Sequence, residues 1–254
     1  MSPFARKRFG QNFLVDPHIL EKIHTSLKAT ATDTWIEIGP GRGALTLALL
    51  QQVQKLYAIE IDRDLAENLQ KLEHPKLTLF TQDVLTFDFR TLPINERPFK
   101  LVGNLPYNIS TPLLFQLMGQ LECFSELYCM VQKEVAQRLY ALPNTAARGR
   151  LSVMVQYHCQ VEPLIEVPST AFRPIPKVLS SFIRLIPRAP TCIAQNYAHF
   201  SECVRKAFCA RRKMLRHTFT ADWAAIAIDP TARPETLSVE DFVKLSNHLS
   251  RQNT

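Results

Sequence analysis

Short apolar runs typical of strands alternate with runs typical of helices between residues 34 and 131, and this alternation restricts the fold more than any other feature. Strands are predicted at 34–38, 56–61, 77–81, 99–102 and 127–131, and helices at 44–53, 63–72 and 111–121. Because strands that alternate with helices form a parallel sheet with helices on both faces, the pattern predicts a doubly wound, Rossmann-like α/β domain. In such a sheet, ligands bind at the carboxyl ends of the strands.

The segments on either side of the alternation complete the predicted domain. Asp16 followed by Pro17 is typical of a helix start, and apolar residues at helical spacing predict an amphipathic helix over 17–28. Two extended segments, 159–167 and 180–186, come after the alternation stops. They predict an antiparallel hairpin at one edge of the sheet.

The last quarter of the chain has a different pattern. Pro187 and Pro190 interrupt the extended segment, and the sequence from about residue 191 onward is mainly helical. We therefore predict two domains, the doubly wound domain over 1–187 and a small helical domain over 188–254.

Charge and cysteine content narrow the functional class. The 254 residues carry a formal net charge of +7, which favours a polyanionic partner, although a basic surface kept for solubility carries the same charge. The six cysteines include no C-x-x-C pair and do not alternate with histidine at zinc spacing, so we expect reduced thiols and no metal site. The apolar stretches are too short to span a membrane and no secretory segment is visible, which predicts a cytoplasmic protein.

Residues 35–43 are predicted to form a strand that enters a Gly-Pro-Gly-Arg-Gly turn before a helix. Glycine suits a backbone that must turn sharply and approach a ligand without a Cβ in the way. The spacing of Gly39, Gly41 and Ala44 also matches the nicotinamide dinucleotide pattern. Glu37, the third glycine of the turn and the lack of any hydride-transfer constellation favour S-adenosylmethionine instead. A tight turn without a ligand is the remaining alternative.

Acidic residues at the next two strand ends argue for a ligand. Glu60 ends the second predicted strand, where its carboxylate can accept both hydroxyls of a ribose. Asp83 follows the third strand and can accept a hydrogen bond from an adenine amino group. Either residue alone is more often a solvated loop acid, but their places on consecutive strands favour one shared ligand. Asp62 is a second candidate for the ribose.

The tetrapeptide Asn104-Leu105-Pro106-Tyr107 follows the fourth predicted strand and suits methyl transfer to adenine. The exocyclic amino nitrogen of adenine is a poor nucleophile because its lone pair is delocalised into the ring. The Asn104 side-chain oxygen and the Leu105 carbonyl are two acceptors that can hold its N–H groups. With Pro106 fixing the turn and Tyr107 offering a stacking face to an unstacked base, the transfer needs positioning but no metal and no covalent intermediate. A plain turn is the alternative, and the place at a strand end argues against it.

Several motifs of the sequence match one family, and together they span nearly the whole chain. The sequence resembles the ribosomal RNA adenine N6,N6-dimethyltransferases, which modify two adjacent adenosines near the 3′ end of small-subunit RNA. The matching stretches are 8–14 (RFGQNFL), 37–46, Glu60, 82–83, 103–107, 172–178 (FRPIPKV) and 207–216. Their order and spacing are far more specific than a glycine turn alone.

The resemblance implies a role for individual residues. Cofactor contacts are implied for Asn12, Leu14, Gly39, Gly41, Glu60, Asp83 and Asn104. Asn104 would lie between S-adenosylmethionine and the target base, and Phe172 would be a second aromatic wall opposite Tyr107. The alternative interpretation of Phe172 is an ordinary phenylalanine buried in the core. The implied partner is 16S ribosomal RNA within the small subunit or its precursor, with the protein acting as a monomer.

Three positions depart from the usual family pattern. Leu179 stands where the family usually has aspartate, and Ala210 and His217 replace a usual glutamine and asparagine. None of them belongs to the predicted chemistry. We expect them to affect the details of RNA contact.

A basic cluster lies outside every cofactor or chemistry motif. Its six cations are Arg205, Lys206, Arg211, Arg212, Lys213 and Arg216. Apolar residues interleave with them at helical spacing, which predicts one basic helix with a core face and a positive face. Because only Glu202 is nearby as a counter-charge, phosphate contact is favoured over a merely solvated helix face. Residues 6–8 (Arg-Lys-Arg) form a second basic cluster.

Several other functions share parts of this pattern. Related methyltransferases act on adenine in DNA, on large-subunit ribosomal RNA and on glutamine in proteins, and the basic cluster argues against a protein substrate. A non-catalytic ribosome assembly factor would keep the fold alone, and the intact Gly39, Glu60 and Asn104 set argues against that. A role in subunit maturation beside catalysis stays open, and a nicotinamide-dependent oxidoreductase is the rival from another class.

Overall fold

The computed structural model describes residues 11–252, and the chain divides into two compact units. The first unit comprises the residues up to Ala136 together with 161–187. The second comprises 137–160 together with the residues from Arg188 onward. The helical unit therefore includes a segment, 137–160, that the sequence prediction placed in the doubly wound domain.

Most of the strands form one sheet of seven. In chain order the strands are β1 (Phe13–Leu14), β2 (Thr34–Ile38), β3 (Lys55–Ile59), β4 (Leu77–Phe80), β5 (Phe99–Asn104), β6 (Phe124–Gln132), β7 (Cys159–Val167), β8 (Phe172–Arg173) and β9 (Ser180–Pro187). The sheet has the order β4-β3-β2-β5-β6-β9-β7, and β1 pairs separately with β8. The pairs among β2 to β6 are parallel, whereas β9 runs antiparallel to β6. The predicted parallel sheet is confirmed, and the two late strands lie together at one of its edges.

Helices follow the strands as the alternation predicts. The helices up to residue 139 are α1 (Pro17–Leu27), α2 (Ala44–Leu50), α3 (Arg63–Gln70), α4 (Ser110–Met118) and α5 (Lys133–Leu139). The start of α1 is set by Asp16, whose carboxylate accepts hydrogen bonds from the amides of His18 and Ile19. The helix buries Ile19, Ile23 and Leu27, the apolar stripe expected from its sequence.

Aromatic side chains form the centre of the core beside the sheet. The ring centroid of Tyr128 lies 5.6 Å from that of Trp35 and 6.1 Å from that of Phe182. Phe172 belongs to the same buried cluster, as do Ile23 and Leu27 of α1. Close packing of this kind gives a rigid base for the loops at the carboxyl ends of the strands.

The second unit is helical, as expected for the end of the chain. Its helices are α6 (Arg150–His158), α7 (Tyr197–Cys209), α8 (Trp223–Ile226) and α9 (Val239–Gln252). Arg148 is 1% exposed and explains why the segment before α6 belongs to this unit. Its guanidinium donates to the carbonyls of Ala141 and Leu237 and to the side-chain oxygen of Gln156.

The prediction of one continuous basic helix is wrong. Helix α7 ends at Cys209, residues 210–213 form a turn, and a short 3-10 segment follows at Leu215–His217. The reason is a pair of non-local hydrogen bonds, because the amides of Leu215 and Arg216 donate to the carbonyls of Ala232 and Pro230. Within residues 11–252, no helix is long and apolar enough to cross a membrane.

Candidate active site

A cavity of about 660 Å³ lies at the carboxyl ends of β2, β3 and β5. Its wall comes mainly from five segments, 11–15, 37–42, 59–61, 82–84 and 103–109. Ligand pockets commonly measure roughly 300 to 1,000 Å³, so the volume suits a nucleoside-sized ligand. The predicted site residues that line it are Asn12, Leu14, Gly39, Gly41, Glu60, Asp83, Asn104, Leu105, Pro106 and Tyr107.

The glycine turn after β2 has a backbone that other residues rarely adopt. Gly39, Gly41 and Gly43 have φ angles of +64°, +59° and +82°, which lie in the left-handed region. A Cβ on Gly41 would lie 3.2 Å from the Phe13 ring, and one on Gly43 would lie 3.0 Å from the Leu69 side chain. Backbone conformation and close packing together account for glycine at these positions.

Glu60 connects the ends of β2 and β3. It is 4% exposed, and its two carboxylate oxygens accept hydrogen bonds from the amides of Gly41, at 3.0 Å, and Asp62, at 2.9 Å. Burial raises the pKa of the Glu60 carboxyl above its usual value. A carboxylate offers about four acceptor positions, so capacity remains on the cavity side.

Asp62, the second candidate for the ribose, has a different place. It does not line the cavity. Its carboxylate caps α3 by accepting from the amide of Asp64, and it also accepts from the Gln11 side chain at 3.1 Å. The structure thus separates a wall residue, Glu60, from a helix cap, Asp62.

A second buried acid lies at the end of β2. Glu37 is 3% exposed and accepts a 2.7 Å hydrogen bond from the Thr46 hydroxyl. Burial raises the pKa of the Glu37 carboxyl to about 7, and the negative charge of Glu60 adds to this effect. Glu37 lines the cavity, so its charge state is open to influence from a bound ligand.

The segment after β5 is held by specific hydrogen bonds. The Asn104 side-chain amide donates to the Asn12 carbonyl at 2.8 Å, which leaves the Asn104 amide oxygen as the group's acceptor. The amide of Leu105 donates to the Met130 carbonyl, and the amide of Ile109 donates to Pro106 to close the turn. These contacts fix the tetrapeptide at the cavity wall.

Gly103, directly before Asn104, belongs to the matching stretch 103–107 but was given no role of its own from the sequence. A Cβ there would lie 3.0 Å from the Ile38 carbonyl oxygen, so no larger residue fits without a backbone shift. The sequence feature that pointed to this glycine was its position directly before the segment Asn104 to Tyr107.

Other wall residues have clear places. Asp83 caps a 3-10 turn by accepting from the amide of Leu85 at 2.9 Å, and it lies in the wall as predicted from its strand end. Arg42 is the one cationic side chain among the described residues that line the cavity. Its guanidinium lies 4.7 Å from the centroid of the Phe13 ring, a cation–π contact.

Phe172 is not brought to the cavity. Its side chain has no exposed surface, and in β8 it pairs with Leu14 of β1. It packs in the core and does not line the cavity wall, which is the place of an ordinary buried phenylalanine. Leu179, the departure from the family pattern, is exposed, and its carbonyl accepts from the amide of Lys133.

The six predicted RNA-binding cations are all exposed, but they differ in their partners. Arg205 pairs with Glu202 at 2.6 Å. Arg211 donates to the Ala146 carbonyl at 2.6 Å, and its Nε lies 3.9 Å from the Glu235 carboxylate. The others, Lys206, Arg212, Lys213 and Arg216, make no ion pair with any residue that the structure describes. The basic cluster at residues 6–8 lies outside the described residues.

Comparison with known proteins places this geometry in context. Residues 4–251 match the family described as ribosomal RNA adenine dimethylase. The chain is 48% identical over 253 residues to a ribosomal RNA small subunit methyltransferase A of Nitrosococcus oceani, with 96% of each chain covered. It is similar to the crystal structure of a dimethyladenosine transferase from Plasmodium falciparum, with a TM-score of 0.81, 26% identity, and 95% and 98% of the two chains covered. It is also similar to the 23S rRNA methyltransferase ErmE, with a TM-score of 0.70, 25% identity, and 94% and 100% covered.

Proposed function

The chain belongs to the ribosomal RNA adenine dimethylase family, and from this premise we propose that it methylates N6 of two adjacent adenosines near the 3′ end of 16S ribosomal RNA. The protein is an enzyme of the methyltransferase class. This excludes the two other classes considered, a nicotinamide-dependent oxidoreductase and a non-catalytic ribosome assembly factor. The observation that carries the proposal is the meeting in one cavity of buried acids with the Asn104 to Tyr107 segment.

The described residues fit S-adenosylmethionine as the cofactor. The cavity has a suitable volume, and the backbone at Gly41 comes close to its neighbours, since a Cβ there would lie only 3.2 Å from the Phe13 ring. The wall contains the buried carboxyls of Glu37 and Glu60, whose raised pKa values a cationic ligand would lower. When bound, S-adenosylmethionine supplies an activated methyl group on a positively charged sulfur.

Each residue around this ligand has a proposed task. Glu60 would accept hydrogen bonds from the ribose hydroxyls and Asp83 from the adenine amino group. Asn12, Leu14, Gly39 and Gly41 would hold the rest of the cofactor through backbone and apolar contact. The second aromatic wall that the resemblance implied at Phe172 forms no part of the proposal, because that ring is buried in the core.

The Asn104 to Tyr107 segment would act on the target base. The Asn104 amide oxygen and the Leu105 carbonyl would accept the two N–H groups of the amino nitrogen and thereby favour a pyramidal geometry with its lone pair directed at the methyl group. Tyr107 would stack on the unstacked base. Because the Asn12 carbonyl holds the Asn104 amide nitrogen, the amide oxygen is already oriented before the base arrives.

We propose further that the substrate is 16S ribosomal RNA in the small subunit or its precursor, and that the protein acts as a monomer in the cytoplasm. The small-subunit name carried by a relative at 48% identity supports this choice. The similarity to a 23S rRNA methyltransferase makes large-subunit RNA the second candidate. The exposed cations that make no ion pair within the described part of the chain, Lys206, Arg212, Lys213 and Arg216, would contact phosphates. We also propose that methylation is coupled to maturation of the small subunit.

The test is the Asn104→Ala variant. We expect the rate of methyl transfer to fall roughly ten- to several-hundred-fold while the affinity for S-adenosylmethionine changes little, because one stabilising contact to the reacting nitrogen is lost. Calorimetry gives the affinity, and mass spectrometry of 16S and 23S RNA from cells with and without the protein identifies the nucleotides whose methylation depends on it. Asn68→Ala, at an exposed position of α3, is the matched control. Loss of cofactor affinity in Asn104→Ala, or protein-dependent methylation in 23S RNA alone, would contradict the proposal.

A further inference from the structure

A hydrogen bond between Tyr107 and Ser180 joins the cavity wall to the sheet. The two hydroxyl oxygens lie 2.6 Å apart, although the residues are separated by 73 positions in the sequence. Ser180 has no exposed surface, and Tyr107 is partly buried. The contact is therefore partly sheltered from solvent, and a sheltered hydrogen bond is stronger and more costly to lose than an exposed one.

The serine is held more firmly than the tyrosine. Ser180 is the first residue of β9 and lies opposite Gln132 of β6 in the sheet register. Directly before it, the Leu179 carbonyl accepts a 3.0 Å hydrogen bond from the amide of Lys133. Two strands thus fix the backbone on both sides of the serine hydroxyl, so this hydroxyl is a fixed reference point.

The tyrosine depends on this point for the direction of its ring. Its backbone lies in the turn that the Pro106 carbonyl closes, and its ring extends from that turn into the cavity wall. Burial raises the pKa of the Tyr107 hydroxyl, which therefore stays protonated and needs a hydrogen-bond partner. Among the described residues, Ser180 is the one that supplies it.

We propose that Ser180 is a positioning residue that holds the Tyr107 ring in the orientation needed to stack on the target adenine. The inference rests on the proposed function, which assigns the stacking face to Tyr107. Ser180 would act through Tyr107 and would not touch the substrate. It would lower the number of ring orientations available when the base enters, which keeps the amino nitrogen aligned with the two acceptors at Asn104 and Leu105.

The test uses both ends of the hydrogen bond. Ser180→Ala and Tyr107→Phe each remove it, and the second keeps the aromatic ring. We expect each variant to lower the single-turnover rate roughly three- to tenfold, as for loss of one neutral hydrogen bond, and the double variant to lose no more than either single one. Ser180→Thr keeps the hydroxyl and should retain most of the wild-type rate. The affinity for S-adenosylmethionine should not change in any of them.

Ser181→Ala is the matched control. Ser181 is also buried, but side chains alternate along a strand, so it faces the opposite side of the sheet from Ser180. Its replacement should leave the rate unchanged. Two results would overturn the inference. One is a wild-type rate in Ser180→Ala. The other is a double variant whose rate loss equals the product of the two single losses, since this would mean that the two hydroxyls act independently.

A binding readout separates this inference from the proposed function. An RNA fragment with 2-aminopurine at the target position becomes less fluorescent when the base stacks on an aromatic ring. Ser180→Ala should weaken this quenching at equal RNA occupancy, and Ser180→Thr should restore it. A wild-type protein that quenches this RNA but transfers no methyl group to the same fragment with adenine at the target position would contradict the proposed function, while the quenching in Ser180→Ala would still decide the role of Ser180.

Discussion

The two units of the molecule bury charged side chains in opposite ways. In the first unit the buried charged groups are the acids Glu37, Glu60 and Asp62, and Glu37 and Glu60 lie in the wall of the cavity. In the second unit the largest buried charged side chain is Arg148, whose guanidinium donates to three oxygens supplied by the same unit. Removing an ionised group from water costs several kcal/mol unless partners replace the water.

The difference lies in where those partners come from. Arg148 finds its acceptors within the protein, which indicates that its role is to hold the chain together. Glu37 and Glu60 have carboxyl pKa values raised by burial, so their negative charge is poorly compensated by the protein alone. Acids whose pKa is perturbed by burial and that line a cavity are typical of a functional site.

We expect the largest effect, on the free energy of unfolding, from a variant that removes the structural role of Arg148. Arg148→Met should lower the free energy of unfolding of the second unit by about 3 kcal/mol, because three buried acceptors lose their donor. Each unit contains one tryptophan, Trp35 in the first and Trp223 in the second, so a Trp35→Phe background reports the second unit alone by fluorescence. Denaturation of Trp35→Phe with and without Arg148→Met measures the change in this free energy.

Arg251→Met is the control for this prediction, because Arg251 is exposed in the last turn of α9. The affinity for S-adenosylmethionine should be the same in both variants. An Arg148→Met protein as stable as the control would show that the buried arginine does not hold the unit together.

The next effect tests the ligand role of the buried acids. Glu60→Gln should weaken the binding of S-adenosylmethionine by about 1.5 to 3 kcal/mol, because a charged acceptor for two hydroxyls becomes neutral. Asp62→Ala should leave this affinity nearly unchanged and lower stability instead, since it removes the side chain that caps α3. Titration calorimetry on the two variants compares them directly. The reverse result would assign the ribose contact to Asp62.

A smaller effect concerns the pH dependence of stability. The pKa of Glu37 is raised to about 7, so the folded protein retains a proton that the unfolded chain has lost. The free energy of unfolding should therefore fall as pH rises, by about 1 kcal/mol between pH 6 and pH 8 from this group. Glu37→Gln should remove that part of the slope, whereas Glu67→Gln, at an exposed position of α3, should keep it. Denaturation at several pH values measures both slopes, and equal slopes would contradict the assignment.

These tests also mark the limit of what the sequence predicts. Most strands and helices of the first unit were predictable because each has a local apolar pattern, as in Thr34–Ile38, which has the predicted bounds. The short strands β1 and β8 and the helix α5 were not predicted. Helix α6 was not predicted, since it is buried on nearly every side and has no amphipathic period. The end of α7 depends on hydrogen bonds to residues 230–232, and no local pattern reveals contacts between distant positions.

The candidate site shows the same division. Its wall residues follow strand ends, which the sequence predicts, so the places of Glu60, Asp83 and Asn104 in one wall were predictable, while their roles stay predictions. The partner of Tyr107 was not found, because Ser180 carries no motif that points to it. Phe172 lies next to Leu14 in the strand pairing, and only the packing shows that its ring is turned into the core.

The smallest effect concerns the exposed cations of the second unit and sharpens the comparison with its buried arginine. If Arg212 and Lys213 contact phosphates, replacing both with glutamine should lower the slope of log affinity for RNA against log salt by roughly 0.7 to 0.9 for each residue. The matched pair is Arg205→Gln with Arg211→Gln, because both of these arginines already have protein partners. That pair should change the slope less. Binding across a salt series, with a melting temperature for each variant, separates the two pairs. A lowered melting temperature with an unchanged slope in the first pair would show that these cations serve packing and do not contact phosphate.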